Sequence, residues 1–310
     1  MKNLKWSNYW LEGNLTSLPA SFEANYRGQI KEFWDARFSE LDDNAVILDV
    51  CSGNGAIAFL AAEYSISNNK NFKVISSDIV KFHSEKLLKN YPELQLLVES
   101  IDFKSGTPLE QLEIEDSSLD LICSQYGIEY TNWTIAAQLV SKWLKKDAKF
   151  CVISHALDTE VVKRMKQEAQ YYGIFNNTDF YSRGRSVFKH NPGRKELTSF
   201  LEPVLKELTK TIFTKNSALL RSLYDAISFC FSASTSEFNK NKEYVLTYLS
   251  SFIDGKNRLD DLMEVNSRLS ASPNWFESFC VNNVSLTDQG TVYFEKQGHI
   301  AGGYYTYTKG

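Results

Sequence analysis

The chain has 310 residues, 43% of them hydrophobic and 14% aromatic, which is enough for one large or two coupled domains and excludes a disordered chain. Its 34 basic and 38 acidic residues give a formal charge of -4, which disfavours nucleic acid as a partner. No segment approaches the roughly 18 apolar residues of a membrane span, and the N-terminus lacks an apolar signal region. With five cysteines and no CxxC pair, we expect a cytoplasmic protein without a membrane partner.

The N-terminal region, residues 1–44, is predicted to form a helical cover over the rest of the chain. Residues 21–41 place large apolar side chains at helical spacing, from Phe22 and Tyr26 onward. Ser21 stands where a helix cap is expected.

Strand and helix patterns alternate over residues 45–156. Strands are predicted at 45–50, 72–79, 94–100, 119–125 and 148–155, with helices between them at 56–64, 81–90 and 135–146. The first strand is a continuous apolar run, which is typical of a strand buried on both faces of a parallel sheet. This alternation predicts an α/β fold.

The pattern changes after the fifth strand. Residues 157–274 are predicted to be a helical insert, and residues 275–310 return to strands, with a turn at Asp288, Gln289 and Gly290. We therefore predict a doubly wound, seven-stranded, mostly parallel sheet, with a C-terminal antiparallel strand and a helical insert after strand 5. The core would consist of residues 45–156 and 275–310.

The stretch "ILDVCSGNGAIAF" (47–59) turns from the first strand into a helix. Gly53 and Gly55 let the main chain approach a ligand, and the helix N-terminus offers unpaired N–H groups. "GNGAIA" also fits a G-x-G-x-x-A dinucleotide pattern. The acid before the loop, Asp49, would repel a pyrophosphate and suits the amino group of a cationic ligand.

Residues 49–55 resemble the first motif of the class I S-adenosylmethionine-dependent methyltransferases, D-x-G-x-G-x-G, with Cys51 in place of the first glycine. The resemblance implies S-adenosylmethionine as the cofactor. It also implies that Asp78, with Ile79 beside it, binds the ribose hydroxyls, and that Asp102 binds the adenine amino group between Ile101 and Phe103. The implied cofactor-binding residues are Asp49, Cys51, Ser52, Gly53, Gly55, Asp78, Ile79, Ile101, Asp102, Phe103, Ser124, Gln125, Tyr26 and Arg27.

Candidates for catalysis follow the fourth and fifth strands. The family's N/D-P-P-Y motif for amino groups of DNA bases and protein glutamine is replaced by "SQYG", which leaves small-molecule O-, N-, S- or C-methylation open. Glu129 is expected to act as a base or to bind an amine, although a surface or helix N-terminal role suits it equally. Tyr126 and His155 are further candidates, with simple packing as the alternative for His155. The four histidines are scattered, so no metal site is predicted.

Acceptor choice is assigned to the insert, whose segment 171–195 alternates aromatic with basic residues. As a lid, this segment would suit an anionic or aromatic acceptor. The alternative is an exposed basic loop beside core aromatics. The oligomeric state is not predicted.

Two other functions compete with methyl transfer. The glycine pattern, with an acid about twenty residues later, is also typical of a nicotinamide-dependent oxidoreductase. A catalytically silent S-adenosylmethionine-binding protein is the third hypothesis, because methyl transfer requires no universal catalytic residue.

Overall fold

The computed structural model describes residues 4–17, 22–157, 159–294 and 298–310. The chain divides into two compact units: the first is Met1–Glu160 with Glu264–Gly310, and the second, the helical unit, is Val161–Met263. Residues 264–274, assigned to the insert from sequence, lie in the first unit, where Val265 and Leu269 are buried in the core. Among the described helices, none is long and apolar enough to cross a membrane.

The first unit is built on a seven-stranded sheet. Its strands are β1 (Val46–Val50), β2 (Lys73–Asp78), β3 (Ile101–Ser105), β4 (Leu119–Gln125), β5 (Leu144–Ser154), β6 (Val284–Tyr293) and β7 (Ile300–Lys309). The strand order is β3-β2-β1-β4-β5-β7-β6. The first five strands pair in parallel, and β7 runs antiparallel to both β5 and β6. The fold class predicted from the sequence is confirmed.

Helices cover both faces of this sheet. They are α1 (Leu4–Leu11), α2 (Gln29–Ser39), α3 (Ala56–Ser67), α4 (Ser84–Asn90), α5 (Gln95–Val98) and α6 (Trp133–Trp143), with a short 3-10 helix at Trp275–Phe279. Successive strand residues point to opposite faces. In β1, Ile47 therefore packs in the core with α2 and α3, whereas Leu48 and Val50 pack in the core with α6.

The third strand lies later than predicted. A 3-10 helix ends at Leu94, α5 follows it, and a turn leads to β3, which begins at Ile101. Leu94, Leu97 and Val98 face the core while Leu96 is 78% exposed, which is the spacing of a helix. Because β3 is an edge strand, its own sequence alternates apolar with polar residues and lacks the continuous apolar run of a central strand.

The N-terminal helix is shorter than predicted. It begins at Gln29, because Gly28 has a φ of 62°, which interrupts a right-handed helix. Phe22 and Tyr26 are buried but lie in irregular chain before it, and the proposed cap Ser21 falls outside the described residues. The helix α1 was not predicted.

The predicted turn at residues 288–290 is wrong, because these residues lie within β6. The pairing of β6 with β7 shifts register between Leu286 and Asp288, so an acid is accommodated in an edge strand. A Cβ at Gly290 would come 2.8 Å from the ring of Tyr304 on β7, which explains a glycine inside a strand.

The helical unit has its own core. It contains α7 (Glu160–Gly173), α8 (Phe180–Lys189), α9 (Arg194–Thr211), α10 (Ala218–Ser232) and the larger part of α11 (Thr235–Ala271). Four aromatic side chains of segment 171–195 are buried in this core: Tyr172, Phe175, Phe180 and Phe188. Arg185 pairs with the buried Asp254. Arg194 donates to the carbonyls of Cys230 and Phe231. These aromatic residues stabilise the unit, and two of the arginines are already bound within it.

Candidate functional site

The turn between β1 and α3 lies at the carboxyl edge of the sheet, beside the switch point where strand order reverses between β1 and β4. Three of its residues have positive φ: Cys51 at 56°, Gly53 at 58° and Gly55 at 85°. The N–H of Ser52 donates to the carbonyl of Ser77 on β2, at 3.1 Å. Glycine fits the left-handed conformation at two of these positions, whereas Cys51 adopts it with a side chain.

Asp49 lies in β1 below this turn and is 1% exposed. Its Oδ2 accepts the N–H of Ala58 in α3, at 3.1 Å, and its Oδ1 has no hydrogen-bond partner among the described residues. Burial raises the pKa of Asp49 to about 8, against the opposing effect of the bond from Ala58. A buried carboxylate oxygen without a donor is suited to receive one from a ligand.

Asp78 ends β2 and is bound to the glycine turn. Its Oδ2 accepts the N–H of Gly53 and its Oδ1 accepts the N–H of Val80, both at 2.8 Å. Burial raises its pKa, and the bonds from Val80 and Gly53 oppose that rise. Each oxygen retains a second lone pair for a ligand hydroxyl. The next residue, Ile79, is 39% exposed.

The predicted adenine-binding residues are not brought together. All three lie in β3, where Ile101 and Phe103 point to one face and Asp102 to the other. The Asp102 carboxylate is exposed and pairs with Lys104 at 2.9 Å. Ile101 is buried in the core, and Phe103 stacks on Phe82 with ring centroids 3.8 Å apart. Of the three, the stacked ring of Phe103 is the one near the glycine turn.

The two predicted cover residues differ from each other. Tyr26 is 4% exposed, its hydroxyl lies 3.2 Å from that of Ser17, and its ring lies 6.5 Å from that of Tyr126. Burial raises the pKa of Tyr26 above its usual value of 10.0, so this hydroxyl stays neutral. The side chain of Arg27 is exposed.

One residue that packs directly against the glycine turn, Trp10, was not predicted from the sequence. A Cβ on Gly53 would come within 2.6–2.8 Å of three atoms of the Trp10 indole. The next residue, Asn54, donates its side-chain N–H to the carbonyl of Trp10 at 2.8 Å. The available signal was the spacing of Trp6, Tyr9 and Trp10, which predicts an aromatic helix face.

Ser124 and Gln125 end β4 and hold neighbouring elements. The Ser124 hydroxyl donates to the carbonyl of Val50 at 3.0 Å and accepts the N–H of Ile128 at 3.1 Å. The side-chain oxygen of Gln125 accepts the indole N–H of Trp34 at 2.7 Å. Ser124 therefore fixes the end of β1 and the chain after β4, and Gln125 anchors α2 to the same edge.

Tyr126 follows β4 with a φ of 54° and is buried. Its hydroxyl donates to the carbonyl of Ala301 at 3.0 Å, and its ring centroid lies 4.9 Å from that of His155. A Cβ on Gly302 would lie 3.2 Å from this ring, so the glycine allows β7 to pass close to it. Burial raises the pKa of Tyr126 well above 10.0, with smaller contributions from Tyr26 and Glu129.

Glu129 and His155 form a direct pair. Glu129 lies in the 3-10 helix Ile128–Tyr130 and is 0% exposed. Its Oε1 accepts the main-chain N–H of His155 at 2.9 Å and lies 2.7 Å from the ring Nδ1. Its Oε2 has no hydrogen-bond partner in the described part of the chain. An ionised carboxylate only accepts, so this arrangement places a proton on Nδ1 and leaves Nε2 as the basic nitrogen.

Two groups of predicted residues therefore meet at this edge of the sheet. The first consists of residues around the β1 turn: Asp49, Cys51, Ser52, Gly53, Gly55 and Asp78. The second consists of Tyr26, Tyr126, Glu129 and His155, joined by the ring and hydrogen-bond contacts given above. The exposed Arg27 and Asp102 make no described contact with either group.

Several solved structures resemble part of the chain. The YcgJ protein of Bacillus subtilis is 21% identical, with 46% of this chain and 58% of that chain covered at a TM-score of 0.34. Phosphoethanolamine N-methyltransferase 1 of Haemonchus contortus is 18% identical, covering 51% and 32% at 0.36. Geranyl diphosphate C-methyltransferase of Streptomyces coelicolor is 10% identical, covering 40% and 42% at 0.33. The chain spans less than two thirds of each of these proteins.

No curated protein matches the chain at a significant level. The family model described as "Methyltransferase domain" matches residues 41–216, which is more than half of the 310 residues. This match includes the glycine turn, the ends of β2 and β4, and the Glu129–His155 pair. It confirms the methyltransferase assignment and the S-adenosylmethionine cofactor that the motifs predicted, at the level of the family. The chain belongs to the methyltransferase-domain family and has the class I, Rossmann-like fold of S-adenosylmethionine-dependent methyltransferases.

Proposed function

We propose that this protein transfers a methyl group from S-adenosylmethionine to a small-molecule acceptor by in-line displacement. The observation that carries the proposal is the juxtaposition of Asp49 and Asp78 with the glycine turn after β1 in a member of this family. When bound, the cofactor supplies the methyl group already attached to its leaving group. The protein then contributes mainly positioning and exclusion of water.

The side chains around the turn fit this cofactor. The unpaired Oδ1 of Asp49 suits its amino group, and the free lone pairs of Asp78 suit the ribose diol. A Cβ on Gly55 would lie 3.1 Å from the Phe103 ring, so the glycine allows this ring to lie close to the turn. We assign Ile79 and Phe103 to the adenine ring, and leave Asp102 out because its carboxylate lies on the other face of β3.

Tyr126, Glu129 and His155 are assigned to the acceptor end of the site. The pair formed by Glu129 and His155 is the proposed proton acceptor for an acceptor group that is protonated in the ground state. Glu129 fixes the imidazole orientation through two bonds to the same residue. Tyr126 packs against the imidazole ring and excludes water from one side of it.

The helical unit remains the proposed determinant of acceptor choice, because it is the part of the chain inserted between β5 and the last strands. Four aromatic side chains of its segment 171–195 belong to the core of the unit, and Arg183 pairs with Asp179 at 3.1 Å. An anionic or aromatic acceptor remains the proposed partner. A cytoplasmic location is kept as a proposal, supported by five cysteines without a disulfide.

Calorimetry and a transfer assay test the function. The full chain is titrated with S-adenosylmethionine, S-adenosylhomocysteine and NAD, and binding of the first two without NAD is expected. A labelled-methyl assay on a metabolite extract then separates an enzyme from a silent binding protein. Asp49→Asn is expected to lose most of the cofactor affinity. Glu113→Gln makes the same carboxyl-to-amide change at an exposed position and serves as its control. Binding of NAD alone contradicts the proposal.

A further inference from the structure

The buried carboxylate of Glu129 has one satisfied and one unsatisfied oxygen. Oε1 faces two donors of His155, and Oε2 faces none among the described residues. No lysine or arginine of the described ranges pairs with Glu129. Native proteins rarely leave a buried polar atom in this state, and an unpaired buried anion is costlier than an unpaired neutral group. The atom therefore calls for a donor that the described part of the chain does not supply.

One hydroxyl and one indole group near Glu129 donate to other acceptors. The hydroxyl of Tyr126 donates to the carbonyl of Ala301, and the indole N–H of Trp133 donates to the main-chain oxygen of Glu129 at 3.2 Å. The missing donor to Oε2 is therefore expected from a ligand.

Aromatic rings surround the Glu129–His155 pair. The ring of Tyr126 lies 4.9 Å and that of Tyr130 6.1 Å from the imidazole, and the Trp6 indole meets Tyr130 edge-on at 6.2 Å. Ring faces attract cations. The imidazole is 16% exposed, which places the pair at the margin of the packed core.

Resting on the proposed methyl transfer, we propose that the acceptor is an amine, which binds as its ammonium form with an N–H directed to Oε2 of Glu129. A neutral alcohol would satisfy the hydrogen bond but leave the negative charge without a counterion. A carboxylate or phosphate group would be repelled at this position. The acceptor nitrogen thus lies at the carboxylate, and any anionic portion of the acceptor lies away from it.

The same contact provides the proton step that an ammonium needs. One N–H bond breaks, its electron pair stays on nitrogen, and the proton forms an O–H bond with Oε2. Glu129 becomes a neutral carboxylic acid, and the nitrogen gains the lone pair that accepts the methyl group. After product release, the carboxylic acid returns the proton to water.

Binding of isosteric probes tests this proposal without turnover. Ethylamine, isopentylamine, benzylamine and phenethylamine are each compared with the matching alcohol at pH 7, by saturation-transfer NMR on the full chain with S-adenosylhomocysteine. At least one amine is expected to bind about tenfold more tightly than its alcohol, because charge-assisted hydrogen bonds are the stronger ones. Equal binding of every pair, or binding of no amine, overturns the proposal.

Two variants test whether Glu129 is the source of the preference for amines. Glu129→Gln keeps an acceptor for His155 but replaces Oε2 by an NH2 group. The ratio of the affinity for the amine to the affinity for the matching alcohol is therefore expected to fall to about one. Glu113→Gln removes one exposed charge and is expected to keep the full preference. A preference that survives in Glu129→Gln overturns the proposal. If that variant does not fold, the wild-type comparison still decides the matter.

Calorimetry with S-adenosylhomocysteine separates the two proposals. If the homocysteine compound binds and no amine is preferred, the amine proposal fails and methyl transfer stands. If S-adenosylhomocysteine does not bind, the proposed function fails. The comparison of amines with alcohols in the free protein then still tests whether Glu129 binds an amine.

Discussion

The indole of Trp10 lies directly against the main chain of Gly53, so closely that a Cβ on residue 53 would come 2.6 Å from the ring. The missing side chain of this motif glycine therefore admits a tryptophan from α1. Asn54 reinforces the contact through its bond to the Trp10 carbonyl. Helix α1 and the proposed cofactor turn are thus coupled through one glycine.

Gly53→Ala is expected to destabilise the fold by two separable effects. A left-handed φ of 58° costs an alanine roughly 1–2 kcal/mol. Displacement of the Trp10 ring adds to that cost. Urea unfolding of Gly53→Ala, Trp10→Ala and the double variant measures the two contributions, and the alanine at 53 should cost less when Trp10 is absent. Strictly additive effects would show that the ring does not contact Gly53 in solution.

Asp49→Asn should change how stability depends on pH. The folded pKa of about 8 lies above the unfolded value of about 3.9, so the fold holds this proton more tightly than the unfolded chain does. The stability that the protonated Asp49 provides is complete below about pH 4 and is lost as the pH rises through 8. Asparagine cannot ionise and keeps an acceptor for the Ala58 N–H.

Unfolding free energies at pH 4.5, 6 and 7.5 check this prediction. The wild type should lose up to about 1.4 kcal/mol per pH unit relative to Asp49→Asn across this range. Glu113→Gln, at an exposed position, controls for the change from a carboxyl to an amide group. Parallel curves for wild type and Asp49→Asn would mean that Asp49 is ionised without cost in the free protein.

Asp78→Asn should weaken S-adenosylhomocysteine binding about tenfold or more, and it should also lower the stability of the fold. An amide has one oxygen, so it can accept only one of the two N–H groups, from Gly53 or Val80, that the carboxylate now accepts. The loss of one such bond costs about 1–3 kcal/mol.

Asp102→Asn is the matched control for this variant, because it alters an exposed acid on the neighbouring strand. Calorimetry should show unchanged affinity for the control. Equal losses in the two variants would contradict both the ribose assignment to Asp78 and the exclusion of Asp102.

Cys51→Gly should raise stability by about 1 kcal/mol, because it removes the Cβ from a residue with a φ of 56°. Burial raises the pKa of the Cys51 thiol well above 9.0, so the side chain stays protonated and unreactive. Differential scanning calorimetry measures the change, and Cys123→Ala, a buried cysteine inside β4, should instead lower the stability. A lower melting temperature for Cys51→Gly would show that packing of the sulfur outweighs the backbone strain.

Errors in the sequence analysis occurred where an element's face depends on its neighbours. The stretch 94–100 is rich in leucine and valine, yet it forms a helical turn. The strand after it, β3, lies at the edge of the sheet and needs only one apolar face, so its sequence lacks the continuous apolar run of a central strand. Asp102 was consequently predicted to follow the third strand, whereas it lies inside β3. Trp10 and Gly53 are more than forty residues apart, and their contact has no local signature in the chain.

The sequence by itself determined the alternation of strands with helices, the glycine turn and the acids at the ends of β1 and β2, because these features follow from local periodicity and from the backbone conformations that glycine permits. Only the tertiary structure decided that Trp10 covers Gly53, that Asp102 points away from Phe103, and that Glu129 binds His155 with one oxygen left over. Side-chain direction is fixed by strand register and by packing between segments distant in the chain. Those are properties of the folded whole.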